Sequence, residues 1–133
     1  MKTGQTSSWL RQVLLADAVV SGATGVLLAG GAPFLVGLLA LPEPLLRYAG
    51  LILLPYAAFV AVVATRMHIP AVTVWAVIIL NTLWVLHSIG LLLTGWVAPN
   101  LFGYGFIIVQ AAVVALFAEL QFLAVRRSPQ PAV

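Results

Sequence analysis

Charged residues cut the chain into long apolar runs, from Ala18 to Pro42, from Tyr48 to Thr65 and from Met67 to Ala118. The last run, about 50 residues, holds two spanning helices of ~20 residues each. Gly95, Pro99, Asn100 and Gly103 supply the break between them. The pattern therefore predicts an all-α fold: four transmembrane helices near Leu10–Gly31, Leu45–Arg66, Pro70–Leu93 and Leu101–Val125, in one antiparallel bundle with short tails at 1–9 and 126–133. Between Pro33 and Pro42 the chain is apolar but too short to cross ~30 Å of hydrocarbon. That stretch reads either as an interfacial turn or as a kinked extension of the first span, and periodicity does not choose between them. Ala16-Asp17-Ala18 looks like a signal-peptide cleavage box, but Asp17 interrupts the apolar core such a peptide needs, so the first span is expected to stay.

Composition agrees with lipid as the solvent. Of the 133 residues, 63% are apolar and 7% charged, with a mean hydropathy of +1.15. That surplus of apolar side chain exceeds what one core of this size buries, which excludes an ordinary soluble fold. With four spans, Lys2, Arg11, Arg66, Arg126 and Arg127 share one side and Arg47 stands alone on the other. This asymmetry predicts cytoplasmic termini. Trp9 falls at the inner boundary, and Tyr48, Trp96 and Tyr104 fall near the outer one, where aromatic rings anchor. The basic residues end hydrophobic runs instead of clustering on a face, so the net charge of +3 is not a nucleic-acid footprint. The absence of Cys excludes disulfides, thiolate metal sites and a cysteine nucleophile. Arg-over-Lys usage in an Ala-, Val- and Leu-rich chain points to a bacterial inner membrane. The tails and loops are too short to fold alone, so function is expected within the bilayer or through partners.

In lipid, helices associate by close packing of small residues. Ser21, Gly25 and Ala29 form such a ridge on the first span, Ala57, Ala61 and Thr65 on the second, and Ala111 and Ala115 on the fourth. Pro55 removes a backbone hydrogen bond within the second span and should bend it. Asp17 shares the line of Ser21 and Gly25, and Glu119 continues that of Ala111 and Ala115, so both acids are expected to face the bundle. Each lies about six residues, or ~9 Å, inside a cytoplasmic Arg. An ionised acid at that depth costs several kcal/mol unless paired, which makes Arg66 the expected partner. Two readings follow. In one, Asp17, Glu119, Arg66 and Arg126 form an ion-pair network that orders the helices. In the other, Asp17 or Glu119 is a proton or cation site. The first is favoured, because both acids are shallow enough to reach interfacial water.

At mid-depth Asn81 and Ser88 share a face with Trp84 beside them, and Tyr56 and Ser21 fall at a comparable level. These residues make a polar pocket or, more commonly, a hydrogen-bonded helix clamp. Gln110 and Gln121 align with each other on the fourth span, nearly opposite Glu119, so that helix has two polar faces. A bundle needs one, and the second is expected to meet another subunit or another protein. His68 and His87 lie about 25 Å apart along the axis and cannot share a haem. His87 reads as a packing residue. No zinc spacing, nucleophile elbow or phosphate-cradling loop appears, so neither metal nor cofactor is expected.

The leading functional expectation is a non-enzymatic accessory or assembly subunit acting through helix packing, alone as a homo-oligomer or with a larger membrane protein. A proton-coupled transporter or channel using Asp17 and Glu119, with Asn81 and Ser88 lining its pocket, is the alternative. A third reading, an intramembrane redox or lipid-modifying protein, rests on His87, Trp84 and Glu119.

Overall fold

The computed structural model describes residues 2–127, and the side chains of residues 8–126. Lys2 and Arg127, both used in the charge asymmetry, therefore have side chains outside the described set, as does the stretch 128–133. Five helices follow one another: α1 (Lys2–Gly30), α2 (Ala32–Leu39), α3 (Glu43–Thr65), α4 (Ala71–Leu93) and α5 (Leu101–Arg127). Four of them contain segments long and apolar enough to cross a membrane, namely Ser8–Gly30, Glu43–Thr65, Ala71–Leu93 and Leu101–Arg126. The stretch expected as a tail, 1–9, belongs to α1 from Lys2 onward, because no proline stops the helix where the apolar run begins.

α1 and α3 make the closest helix pair, and glycine sets their distance. A Cβ on Gly50 would lie 2.4 Å from the backbone nitrogen of Ala29 and 2.7 Å from the carbonyl of Gly25. No side chain fits there, so the two backbones touch directly. Arginines tie the ends of the pair. Arg11, early in α1, donates to the carbonyls of Ala64 and Arg66, the latter at 2.7 Å, where α3 runs out of intrahelical partners. Arg47, early in α3, donates to Ala29 O at 3.2 Å near the end of α1 and pairs with Glu43 one turn back. Each cation thus sits where the helix dipole is negative.

The stretch 33–42 is neither a plain turn nor a continuation of α1. The chain bends at Gly31, and Pro33 falls in the first turn of α2, where a missing N–H costs nothing. α2 closes at Ala40, whose N–H still reaches Val36 O at 2.9 Å and whose left-handed φ of 57° turns the following chain out of the helix. Asn100 then locks α2 onto the start of α5. Its Oδ1 accepts from Gly103 N–H at 2.8 Å as an N-cap, while its Nδ2 donates to Leu38 O at 2.9 Å and its backbone N–H to Leu39 O at 3.2 Å. A Cβ on Gly103 would stand 2.2 Å from Leu39 O, so this crossing also requires glycine.

Two buried apolar clusters result. One gathers Leu14, Val60, Val74, Val77 and Ala124 from all four long helices, and the other gathers Leu35, Leu39, Leu46, Leu53 and Ile107 around α2. Tyr56 borders both clusters, at the level where the polar interior begins. Outside, Val19, Val26, Ile52, Val72, Ile79, Leu86 and Val109 stay exposed, an apolar surface suited to lipid.

Candidate functional site

Between the two apolar clusters, every long helix contributes a polar side chain to one point. α1 supplies Asp17 and, one turn later, Ser21. α3 supplies Tyr56, α4 Asn81 and α5 Gln121. Asp17 is 1% exposed, Gln121 0% and Asn81 4%. Ser21 Oγ donates to Asp17 Oδ1 at 3.0 Å. The amide nitrogens of Asn81 and Gln121 both donate to Asp17 Oδ2, at 3.0 and 2.8 Å, and Asn81 Nδ2 also reaches Gln121 Oε1 at 3.0 Å. The Tyr56 hydroxyl lies 2.8 Å from Asp17 Oδ2 and 2.7 Å from Asn81 Oδ1. Among the described residues no buried side-chain polar atom is left without a partner, which is what a low-dielectric interior demands.

The partners of Asp17 are all neutral, which corrects the expected ion pair. Arg66 is exposed at the end of α3, ten residues from Tyr56, or about 15 Å of helix rise from the level of Asp17. That is beyond the reach of its side chain. The only ion pair among the described residues is Arg47 with Glu43, in the first turns of α3. Arg126 instead lies over the ring of Phe122, 5.7 Å from its centroid.

Glu119 requires a second correction. It is exposed on the outer side of α5, while Gln121 fills the inner side. Two residues along a helix are separated by about 200°, so only one of the pair can point inward. The face carrying Gln110 and Gln121, expected to meet another subunit, is the bundle-facing one. The ridge expected to carry Glu119 inward turns outward along its length, with Ala111 buried and Ala115 and Glu119 exposed. Asp17 and Glu119 therefore do not share a site.

A second polar group lies further along α4 and α5. Trp84 Nε1 donates to Gln110 Oε1 at 2.6 Å, and Gln110 Nε2 donates to Ser88 Oγ at 3.0 Å. Ser88 in turn donates to Trp84 O at 2.8 Å, so the three residues clamp α4 to α5. His87 lies outside this group: it is exposed, with Nδ1 2.8 Å from Leu83 O on its own helix.

An apolar cavity of about 590 Å³, open to the outside past Phe102 and Val109, lies between α1 and the first half of α5, with Phe106 and Leu53 deeper in its wall. Ser21, Thr24, Trp84 and Gln110 bring its few polar groups. Through Ser21 it touches the Asp17 cluster, so the two polar groups are neighbours across one wall. Gln121 is the cluster member that sequence reasoning placed on the wrong face. One signal did mark it: it lies six residues before Arg127, as Asp17 lies six after Arg11, which puts the two at one depth. Asn100 was read only as a break between spans; an Asn before an apolar run is an N-cap signal, whereas its tie to α2 has no signature in a single sequence.

Compared with models of protein families, with curated proteins and with solved structures, the chain matches none. Four helices long and apolar enough to cross a membrane, joined at a carboxyl-centred polar cluster, are the build of a multi-pass membrane protein.

Proposed function

We propose that the protein is a non-enzymatic accessory or assembly subunit of a bacterial inner membrane, an antiparallel four-span bundle with cytoplasmic termini that binds a partner helix within the bilayer. The observation that supports this reading is Glu119. It is exposed about 10 Å inside Arg126, on a face where Ile108, Ala112 and Ala115 are also exposed. Small residues there let a second helix approach closely, and a shallow apolar groove between α4 and α5 runs past Ala112 and Ala115. A carboxylate facing hydrocarbon costs several kcal/mol, which a partner offering an Arg, Lys or amide donor removes. The interior polar groups, by contrast, are consumed in holding the bundle together.

Mild detergent extraction of the tagged chain, followed by native mass measurement and identification of every copurifying chain, tests this. Wild type is expected to travel with a second membrane protein. Glu119→Leu should lose that partner by about 10- to 100-fold, the worth of a hydrogen bond to a charged group. Equal recovery with both chains refutes the proposal.

A transporter is the second reading, favoured by the contact between the cavity and Asp17 through Ser21. It draws on Asp17 alone, since Glu119 lies outside the cavity. Loss of a solute flux in a folded Asp17→Asn protein would support it.

A further inference from the structure

We infer that the apolar cavity between α1 and α5 binds one acyl chain of a membrane phospholipid. The cavity exists because these two helices are joined at one end only. Among the described residues the sole hydrogen bond between them is Gln121 to Asp17. Further along, α1 is drawn to α3 where Gly25 and Ala29 meet Gly50, and α5 is drawn to α4 by Trp84 and Gln110. The gap left between α1 and α5, about 590 Å³, falls within the range of small-molecule sites.

Shape selects the occupant. On α5 the lining runs from Leu101 to Val114, or ~20 Å of helix rise. That is a little more than the ~15 Å of one hydrocarbon leaflet. The volume spread over this length leaves a mean cross-section of ~30 Å², less than half of the ~80 Å² taken by a helix 10 Å across. A single hydrocarbon chain fits such a slot and a helix does not.

The chemistry of the wall agrees. A buried water needs two to four polar partners. Ser21 spends its hydrogen on Asp17, Trp84 on Gln110, and Gln110 its two on Ser88 and Ile107 O, which leaves Thr24 as the one polar side chain of the wall with a hydrogen to offer. An empty slot, in turn, forfeits the dispersion contacts of its lining. Phe102 and Val109 are exposed at the opening, so in a bilayer hydrocarbon stands at the mouth. The bound chain completes the core between α1 and α5 and covers Ser21, the link between the cavity and the Asp17 cluster. Glu119 and the groove past Ala112 and Ala115 occupy another face of α5, so this site does not rest on the partner reading.

The test uses the full chain in vesicles containing a phosphatidylcholine with a diazirine midway along one acyl chain. After illumination, labelled residues are identified by peptide mass spectrometry. Label is expected on Leu53 and Phe106 in the wall, although Leu53 is only 8% exposed, as well as on outer residues such as Val19 and Val72. Label confined to the outer residues of the wild-type chain overturns the inference, whether or not any variant folds. Gly105 lines the cavity and a Cβ on it meets nothing within 4 Å, so Gly105→Phe has room to enter and narrow the slot. It should lower labelling of Leu53 by about 10-fold or more, the worth of two displaced methylenes, while Gly90→Phe on α4 leaves it unchanged. Equal labelling of Leu53 in the two variants also overturns the inference. Native mass measurement of the wild-type chain, mildly extracted from its own membrane, identifies the occupant. One phospholipid per chain is expected; retention of a different apolar molecule, or of none, refutes a phospholipid site.

Discussion

Replacing Gly50 by Ala inserts one methyl group where α1 and α3 touch. Its carbon would begin 2.4 Å from Ala29 N, 2.7 Å from Gly25 O and 3.0 Å from Ala29 Cα, all backbone atoms that no rotamer can move. Non-bonded heavy atoms settle near 3.5 Å, so the helices must part by about 1 Å. A gap of that size forfeits a quarter to a half of the dispersion energy of each contact across it. The same movement stretches the bond from Arg47 to Ala29 O, 3.2 Å in the native arrangement. Overpacking of a core costs about 1–3 kcal/mol, and a backbone-to-backbone clash belongs at the upper end, so the expected loss is ~3 kcal/mol. The control is Gly90→Ala in α4, where a new Cβ meets nothing within 4 Å. There the better helix former should leave stability unchanged or raise it by up to ~1 kcal/mol. Equilibrium unfolding in mixed dodecyl maltoside and dodecyl sulfate micelles, followed by far-UV circular dichroism, compares the two. If Gly50→Ala unfolds at the same dodecyl sulfate fraction as Gly90→Ala, glycine contact does not set the α1–α3 distance and the reasoning fails.

Other substitutions probe the remaining joints of the bundle. Gln121→Leu removes a donor to Asp17 and an acceptor for Asn81, and should cost about 1–3 kcal/mol in the same titration while leaving the native mass of any complex unchanged. A change in assembly without a loss of stability would return Gln121 to an outer face. Asn100→Ala loses the N-cap of α5 and both ties to α2, so destabilisation of at least ~1 kcal/mol is expected, with faster proteolysis between residues 31 and 42 as the local readout. Ala40→Gly relieves a left-handed alanine and should stabilise by about 0.5–1 kcal/mol net of the extra freedom of glycine in the unfolded chain. A loss of stability there would contradict the αL cap.

Much of the fold was legible because lipid imposes a length. Uninterrupted apolar runs of spanning length, bounded by Arg66, Pro70 and the Gly95–Gly103 break, mark the long helices whatever packs beside them. The inner face of α1 was legible too, since Asp17, Ser21 and Gly25 follow one line and a carboxyl group does not face hydrocarbon without a partner. α2 was not, because an eight-residue apolar helix and an apolar turn share one composition, and what distinguishes them is Asn100, 62 residues beyond the Leu38 it binds.

Sequence by itself determined the number and place of the long apolar helices and the presence of polar groups that need partners. Tertiary structure alone decided which partners they have. Helix periodicity defines faces only relative to one another, so α5 offered two equivalent orientations, one burying Glu119 and one burying Gln121. The choice depends on what the other helices bring to the same depth. Tyr56, Asn81 and Ser21 already surround Asp17, and the place left on α5 needs a group that donates to Asp17 and accepts from Asn81, which an amide does and a carboxylate, having only acceptors, does not. Gln121 therefore points inward, and Glu119 is left on the outer face.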